Sequence, residues 1–160
     1  MGKIALAMKA ELVNVTGLQP ADASHDFHFK IKCTSCQEVS DNFVTINRED
    51  TSPISGSRGE ANLVMRCKFC KREGSASFDP PQVIPYNAEH NGQFSRIAVF
   101  ECRGLEPVEF EARDGWKAVG AESGQVFDDI DLTDGDWADY DEKAGNEVSV
   151  MDLEFQFSRA

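Results

Sequence analysis

No stretch of the 160 residues comes near the roughly 18 consecutive apolar side chains that a membrane-spanning helix needs, so no membrane association is expected. The opening Met1-Gly2-Lys3-Ile4-Ala5-Leu6 has no apolar segment of the kind a secretory signal carries, which points to a cytoplasmic protein with the nucleus as the alternative. Gly2 would suit myristoylation, but Leu6 stands where that motif has Ser or Thr. Asn14-Val15-Thr16 fits the glycosylation pattern and, without an export signal, is read as a turn. Tyrosine is scarce, two residues against eleven phenylalanines, which suggests a buried aromatic core. Histidine is scarce too, with three residues. His25, His28 and His90 are isolated from one another, and packing or surface roles are expected for them.

Cysteine is neither absent nor abundant. Five thiols in a chain without an export signal argue against a disulfide framework, and 160 residues can bury a core without one. Positive charge is missing from one region in particular. Residues 1–100 carry 11 Asp+Glu and 11 Lys+Arg, whereas residues 101–160 carry 17 and 5, so the whole formal charge of −12 lies in the last third. A field of that sign repels phosphate backbones, and no nucleic-acid binding is expected.

What is present reads as β structure. Ile4, Leu6, Met8, Ala10 and Leu12 alternate with Lys3, Ala5, Ala7, Lys9 and Glu11 at the period of a strand with one face in the core. Gly17 to Ala23, with Pro20, is expected to turn the chain. Phe27, Phe29 and Ile31 alternate again and run straight into Cys33, Phe43 to Ile46 reads as the return strand, and Arg48 to Glu60 as a loop. Leu63 and Met65 lead into Cys67, and Ala76 and Phe78 return from Cys70 before Pro80-Pro81. Ile97 to Phe100, apolar on both faces, suits a central strand ending at Cys102. Val108 and Phe110 alternate with glutamates, and Val148 to Phe157 makes a last strand with a slip near Met151 that suits a bulge. One short helix is expected over about Trp137 to Ala144, with Asp134 or Asp136 as its N-cap. The expected architecture is one mostly β domain over residues 1–160, with two knuckle hairpins and little helix.

Cys33-Thr34-Ser35-Cys36 and Cys67-Lys68-Phe69-Cys70 are the strongest chemical signal. Two intervening residues let both sulfurs of a pair reach one ion about 2.3 Å away while backbone N–H groups of the turn face the thiolates. The 30-residue spacer is longer than the about 15–20 of many paired CxxC sites, but lengthening a loop costs little entropy. One Zn²⁺ on Cys33, Cys36, Cys67 and Cys70 is therefore expected, as a structural staple: four thiolates close the coordination sphere and leave no position for water. A redox role for the CxxC pairs, or no metal at all, is the rival reading. Lys30, Lys32, Arg66, Lys68, Lys71 and Arg72 flank the cysteines, where a four-thiolate site carries excess negative charge.

Cys102, followed by Arg103, is either a half-buried structural thiol, the reading favoured here because no base stands nearby, or the nucleophile of a zinc-stapled thiol oxidoreductase in the manner of methionine sulfoxide reductases. The acidic stretch Asp128 to Asp136 does not form an EF-hand, because Ile130 and Leu132 fall on ligand positions when Gly135 takes the sixth place. It is expected to be a solvated face or a docking surface for a basic partner, with Trp137 and Tyr140 as candidate anchors.

Several of these segments together resemble the eukaryotic CXXC-motif-containing zinc-binding protein family: the start, the two CxxC pairs, Ile84-Pro85-Tyr86-Asn87-Ala88-Glu89, Glu101-Cys102-Arg103-Gly104-Leu105-Glu106-Pro107 and Asp136-Trp137-Ala138-Asp139-Tyr140-Asp141-Glu142. The resemblance covers essentially the whole chain. It implies zinc on Cys33, Cys36, Cys67 and Cys70 and a single domain of coiled, mostly antiparallel sheets, and it implies no reaction. The expected function is that of a non-catalytic, monomeric zinc-binding module for protein interaction through the acidic last third, or for metal handling.

Overall fold

The computed structural model describes residues 2–160. In chain order its strands are β1 (Gly2–Val13), β2 (Val15–Pro20), β3 (Asp26–Cys33), β4 (Val44–Asn47), β5 (Ser52–Pro53), β6 (Glu60–Ala61), β7 (Leu63–Arg66), β8 (Glu73–Phe78), β9 (Ser95–Arg103), β10 (Leu105–Glu111), β11 (Trp116–Gly120), β12 (Val126–Ile130), β13 (Trp137–Asp141) and β14 (Asn146–Arg159). A single 3-10 turn, Ala88–His90, is the only helical element among the described residues. The strands pair antiparallel into a six-stranded sheet in the order β13-β14-β1-β9-β8-β7, two three-stranded sheets, β10-β3-β4 and β12-β11-β2, and the small pair β5-β6.

The period-two pattern of the first twelve residues is realised in β1, which lies between β14 and β9 with Ile4 opposite both Arg159 and Phe100. Its second face is drier than the alternation suggested: Ala5 and Ala7 are buried along with Ile4, Leu6 and Met8. Small alanines suit a central strand that is buried on both faces over this stretch. The slip near Met151 is a bulge. Register moves from Lys9 opposite Glu154 to Glu11 opposite Met151, and Asp152 takes a left-handed φ of 53° to absorb the extra residue.

The phenylalanines form the seam between sheets. Phe27 and Phe29 on β3 meet Phe78 on β8 and Phe100 on β9 with ring centroids 5.1 and 5.2 Å apart, and Phe29 meets Phe110 on β10 at 5.0 Å. All five are buried. Edge and tilted contacts at these separations add to the free energy of area burial.

Three expectations are corrected. Gly17 to Ala23 is a turn only at its end: β2 runs on to Pro20 and the chain turns over Ala21 to Ser24, while an earlier bend falls at Asn14, whose φ is 57° and whose side-chain amide donates to the Glu147 carbonyl at 2.7 Å. The strands β11 and β12 were not anticipated; in β12 the adjacent carboxylates of Asp128 and Asp129 break the alternation between its two buried residues, Phe127 and Ile130. The segment Trp137 to Ala144 is not a helix, and neither Asp134 nor Asp136 caps one. It is β13, paired with β14 from Trp137 opposite Val150 to Asp141 opposite Asn146, followed by the hairpin turn.

Pairing overrides local helix propensity there because Asp141 organises the turn. Its carboxylate is fully buried and accepts from the Ser123 hydroxyl at 2.5 Å and from the Lys143 and Ala144 N–H groups at 3.0 Å each. These bonds, the Ser123 hydroxyl first, hold its carboxyl below the usual range. Gly120 makes room for this arrangement: a Cβ at that position would run into Asp141 Oδ2 and come within 2.9 Å of Ser123 Oγ. Gly120→Ala is accordingly expected to cost about 1–3 kcal/mol as an overpacking change, read as a lower urea midpoint at unchanged m-value; an unshifted midpoint would show that the hairpin turn yields freely.

Tyr86 plays the corresponding part for the Ile84-to-Glu89 motif. It is buried, its hydroxyl accepts from the Ala10 N–H at 3.2 Å, and its single proton faces the carbonyls of His90 and Gln93, each 2.7 Å away. The loop carrying the 3-10 turn is thus pinned to β1.

Candidate metal centre

The two CxxC turns, 30 residues apart in sequence, meet at one end of the molecule. The first extends from β3, the second joins β7 to β8, and these strands belong to different sheets. The turns are built alike. In the first, the Gln37 N–H donates to the Cys33 carbonyl at 2.8 Å and the Cys33 N–H to the Glu38 carbonyl at 2.9 Å; in the second, Lys71 donates to Cys67 and Cys67 to Arg72, both at 2.9 Å. The residue after each second cysteine, Gln37 or Lys71, adopts a left-handed φ of 67°. That conformation curls the backbone around the sulfurs at a position where glycine is the residue of least strain.

The four sulfurs lie within 4.8 Å of one another. Across the two turns, Cys33 Sγ is 3.6 Å from Cys70 Sγ and Cys36 Sγ is 3.6 Å from Cys67 Sγ. A tetrahedron with metal–sulfur bonds of about 2.3 Å has edges of about 3.8 Å, so the sulfurs stand close to the spacing of a zinc ligand set. Backbone amides support them. The Cys36 and Ser35 N–H groups face Cys33 and lower its thiol to about 6, while the Cys70 and Phe69 N–H groups lower Cys67. Cys36 receives the Glu38 N–H, yet burial and the neighbouring sulfurs Cys67, Cys33 and Cys70 push it up to about 12. Four thiols this close cannot all ionise without a cation, and a divalent ion relieves that conflict. The donor set and its spacing fit zinc.

The flanking cations are placed differently from expectation. Lys32 pairs with Glu106 at 3.1 Å, Lys68 with Asp41 at 2.6 Å, Lys71 donates to the Lys68 carbonyl at 2.8 Å, Arg66 donates to the Lys71 carbonyl at 2.8 Å, and Lys30 lies over the Phe43 ring. None donates to a sulfur among the described hydrogen bonds. Their influence on the site is through the field and through bracing the knuckle backbone.

The Glu101-to-Pro107 motif explains how the sheets come together here. Gly104, at φ +73°, carries the chain out of the six-stranded sheet at β9 into β10 of the other, and its carbonyl accepts from the Thr34 N–H of the first knuckle at 3.2 Å. Gly74, at the start of β8, passes so close to Leu105 that a Cβ would stand 2.8 Å from its Cδ2 and 3.0 Å from the Arg103 carbonyl. Sequence reading did not identify either glycine as part of the site; the dipeptide Arg103-Gly104 between two strand patterns was the available signal.

Cys102 does not join the cluster. It is buried on β9 opposite Gly2 and Ala76, and burial, followed by Glu106 and Glu101, pushes its thiol up to about 12. Arg103, offered as its activator, reaches instead toward Glu101 at 3.7 Å. Iodoacetamide near neutral pH is therefore expected to leave Cys102 of the native protein unmodified over a time in which an exposed thiol reacts fully; fast alkylation would restore the oxidoreductase reading. The histidines also lie apart from the sulfurs. His25 packs edge-on against Phe27 and Trp116 at 5.0 and 5.1 Å, with its proton affinity lowered chiefly by burial; His28 contacts the Thr45 hydroxyl; and His90 receives the Asn87 N–H.

Comparison with known proteins agrees with this arrangement. The family model for CXXC motif containing zinc binding protein, eukaryotic, matches residues 5–158. A human protein named CXXC motif containing zinc binding protein is 46% identical over 157 residues, covering 98% of each chain. The crystal structure of C1orf123 superposes with a TM-score of 0.95 at 45% identity, covering 99% of this chain and all of that one. A hypothetical protein from Plasmodium falciparum shares the fold at a TM-score of 0.89 and 25% identity, with the same coverage. With the family model spanning nearly the whole chain and the four cysteines gathered at zinc spacing, this protein belongs to the eukaryotic CXXC motif containing zinc binding family.

Proposed function

We propose that this chain is a non-catalytic interaction domain in which one zinc ion, held by Cys33, Cys36, Cys67 and Cys70, is structural. The observation that carries the reading is that each CxxC turn comes from a different sheet. An ion there ties the end of β3 to the β7–β8 hairpin, at an end of the molecule where Gly74 lies against Leu105 and Lys68 pairs with Asp41. When bound, zinc supplies charge neutralisation and a cross-link. Four sulfurs leave no open position for a substrate. The test is metal analysis with thermal melting before and after chelation: one zinc per chain, lost together with thermal stability, is the expected result. Chelation that leaves the melting point in place would overturn it.

Metal handling is a second reading, favoured by the partial exposure of Cys36, Cys67 and Cys70. The same chelation experiment separates the two, because a cargo ion exchanges within seconds and a structural one waits on unfolding.

The partner is proposed to be a protein in the cytoplasm that meets the chain as a monomer. Support comes from the last third, where Asp128, Asp129, Asp131, Asp134, Asp136 and Asp139 are all exposed around the half-exposed Tyr140 ring. Such a face suits a basic partner. Reversing Asp128, Asp129 and Asp131 to lysine is expected to slow association by about tenfold or more at low salt while leaving zinc content unchanged; a variant that captures the same partners at the same rate would remove this face from the reading.

A further inference from the structure

A second surface lies beside the metal centre, and its chemistry is opposite to that of the acidic third. β4 and β7 are the terminal strands of their sheets, and they approach each other without pairing. Between them is an open groove of about 260 Å³. Its deeper lining is apolar: Ile31 and Leu105 are buried, and Val44 and Met65 are half-buried. Toward solvent it is bounded by Val39, exposed by 40%, and Phe69, exposed by 55%, an aromatic ring carried by the second knuckle.

The wall formed by the second knuckle and the flanking β7 and β8 ends is basic. Lys68 is engaged by Asp41 from the opposite side. Arg66 gives one N–H to the Lys71 carbonyl, and neither Arg66 nor Arg72 has a carboxylate partner among the described residues. Glu38 and Asp41 also line the groove, Asp41 being paired with Lys68. Most of the chain's arginines lack a carboxylate partner among the described residues, so what sets Arg66 and Arg72 apart is their place on the apolar groove. The volume is below the roughly 300–1,000 Å³ of sites for small-molecule ligands, and suits one or two large side chains. The unpartnered edges of β4 and β7 add backbone donors and acceptors that an extended strand can meet.

We propose that this groove binds an extended acidic segment of a partner protein, which places an aliphatic or aromatic side chain over Val44, Met65 and Leu105 and a carboxylate against Arg72 and Arg66. The segment lies along a free sheet edge, so its backbone supplies affinity and its alternate side chains supply selectivity. This inference deepens the interaction-domain reading and assigns it a second surface. The acidic third would attract basic partners, and the groove selects acidic ones.

The experiment uses the zinc-loaded full chain and two labelled, end-blocked hexapeptides, one alternating glutamate with leucine and the other alternating lysine with leucine. Binding is followed by fluorescence anisotropy and by amide chemical shifts. The glutamate peptide is expected to bind, to shift the amides of Val44, Met65 and Leu105, and to weaken with added salt; the lysine peptide should leave those amides in place. Arg72→Glu should weaken the glutamate peptide by about tenfold, and Phe69→Ala should weaken it while leaving its salt dependence intact. Both side chains are exposed, and zinc content and melting temperature measured on the same samples establish that each variant is folded.

Equal affinity for both peptides, shifts centred on Asp128 to Tyr140, or unchanged binding by Arg72→Glu would each overturn the proposal. So would sedimentation showing that the groove is filled by a second copy of the chain. A groove that fails these tests in a protein that keeps its zinc leaves the structural reading of the metal untouched, so the two failures are distinguishable.

Discussion

Cys67→Ser is expected to abolish stoichiometric zinc and to lower the melting temperature by about 6–20 °C. The reasoning begins with the donor set. Removing one sulfur leaves three thiols crowded within 4.8 Å of one another, with no fourth ligand at tetrahedral spacing. Apparent free energies of structural zinc binding are about 10–16 kcal/mol in peptides whose folding depends wholly on the ion. A chain with a large independent core depends on it less, and a loss of roughly 3–5 kcal/mol corresponds to a shift of this size at about 2–4 °C per kcal/mol. The knuckle backbone bonds, such as Lys71 to Cys67, should fray with it. Inductively coupled plasma analysis and calorimetry on the same sample measure both quantities. A variant that has lost its zinc and still melts with the wild type would mean that the ion is not a staple.

Phe29→Ala is expected to be among the costly single changes in the core, at about 3–5 kcal/mol. Phe29 is fully buried and touches three neighbours across the seam: Phe100 at 5.2 Å, Phe110 at 5.0 Å and Phe157 at 6.1 Å. It sits on the same strand as Cys33, four residues earlier, so core and metal share one element. The two substitutions therefore separate the two sources of stability. Phe29→Ala should lower the urea midpoint strongly and keep one zinc per folded chain, whereas Cys67→Ser should lose both metal and stability. If Phe29→Ala also released zinc from the native state, the knuckle geometry would depend on packing at the middle of β3 and not only on the turns themselves.

The strands were legible where alternation was unbroken and one face was apolar. The β1, β3 and β14 segments show this plainly, because Ile4 to Leu12, Phe27 to Ile31 and Val148 to Phe157 carry their burial pattern in their own sequence. The β11–β12 pair and β13 were not legible for the converse reason. β11 takes much of its stability from β2, distant in sequence, through Trp116 opposite Pro20, whereas β13 pairs with its immediate successor β14 across a turn organised by the buried carboxylate of Asp141, which its helix-like composition conceals. A run such as Asp139-Tyr140-Asp141-Glu142-Lys143-Ala144 has the composition of a helix until its pairing partner is known.

The two CxxC pairs fall on the same division. Sequence alone carried the expectation of a metal there, because two CxxC turns present thiols at ligand spacing and each turn is local. It also determined that both turns sit at strand ends. Only the tertiary structure decided that those ends belong to different sheets, that Gly74 and Gly104 let the sheets close to within contact, and that a groove bordered by Arg66 and Arg72 opens beside the four cysteines. Local chemistry is written in neighbouring residues, whereas the meeting of β3 with β7 joins segments about 30 residues apart and is fixed by the packing of the phenylalanine seam between them.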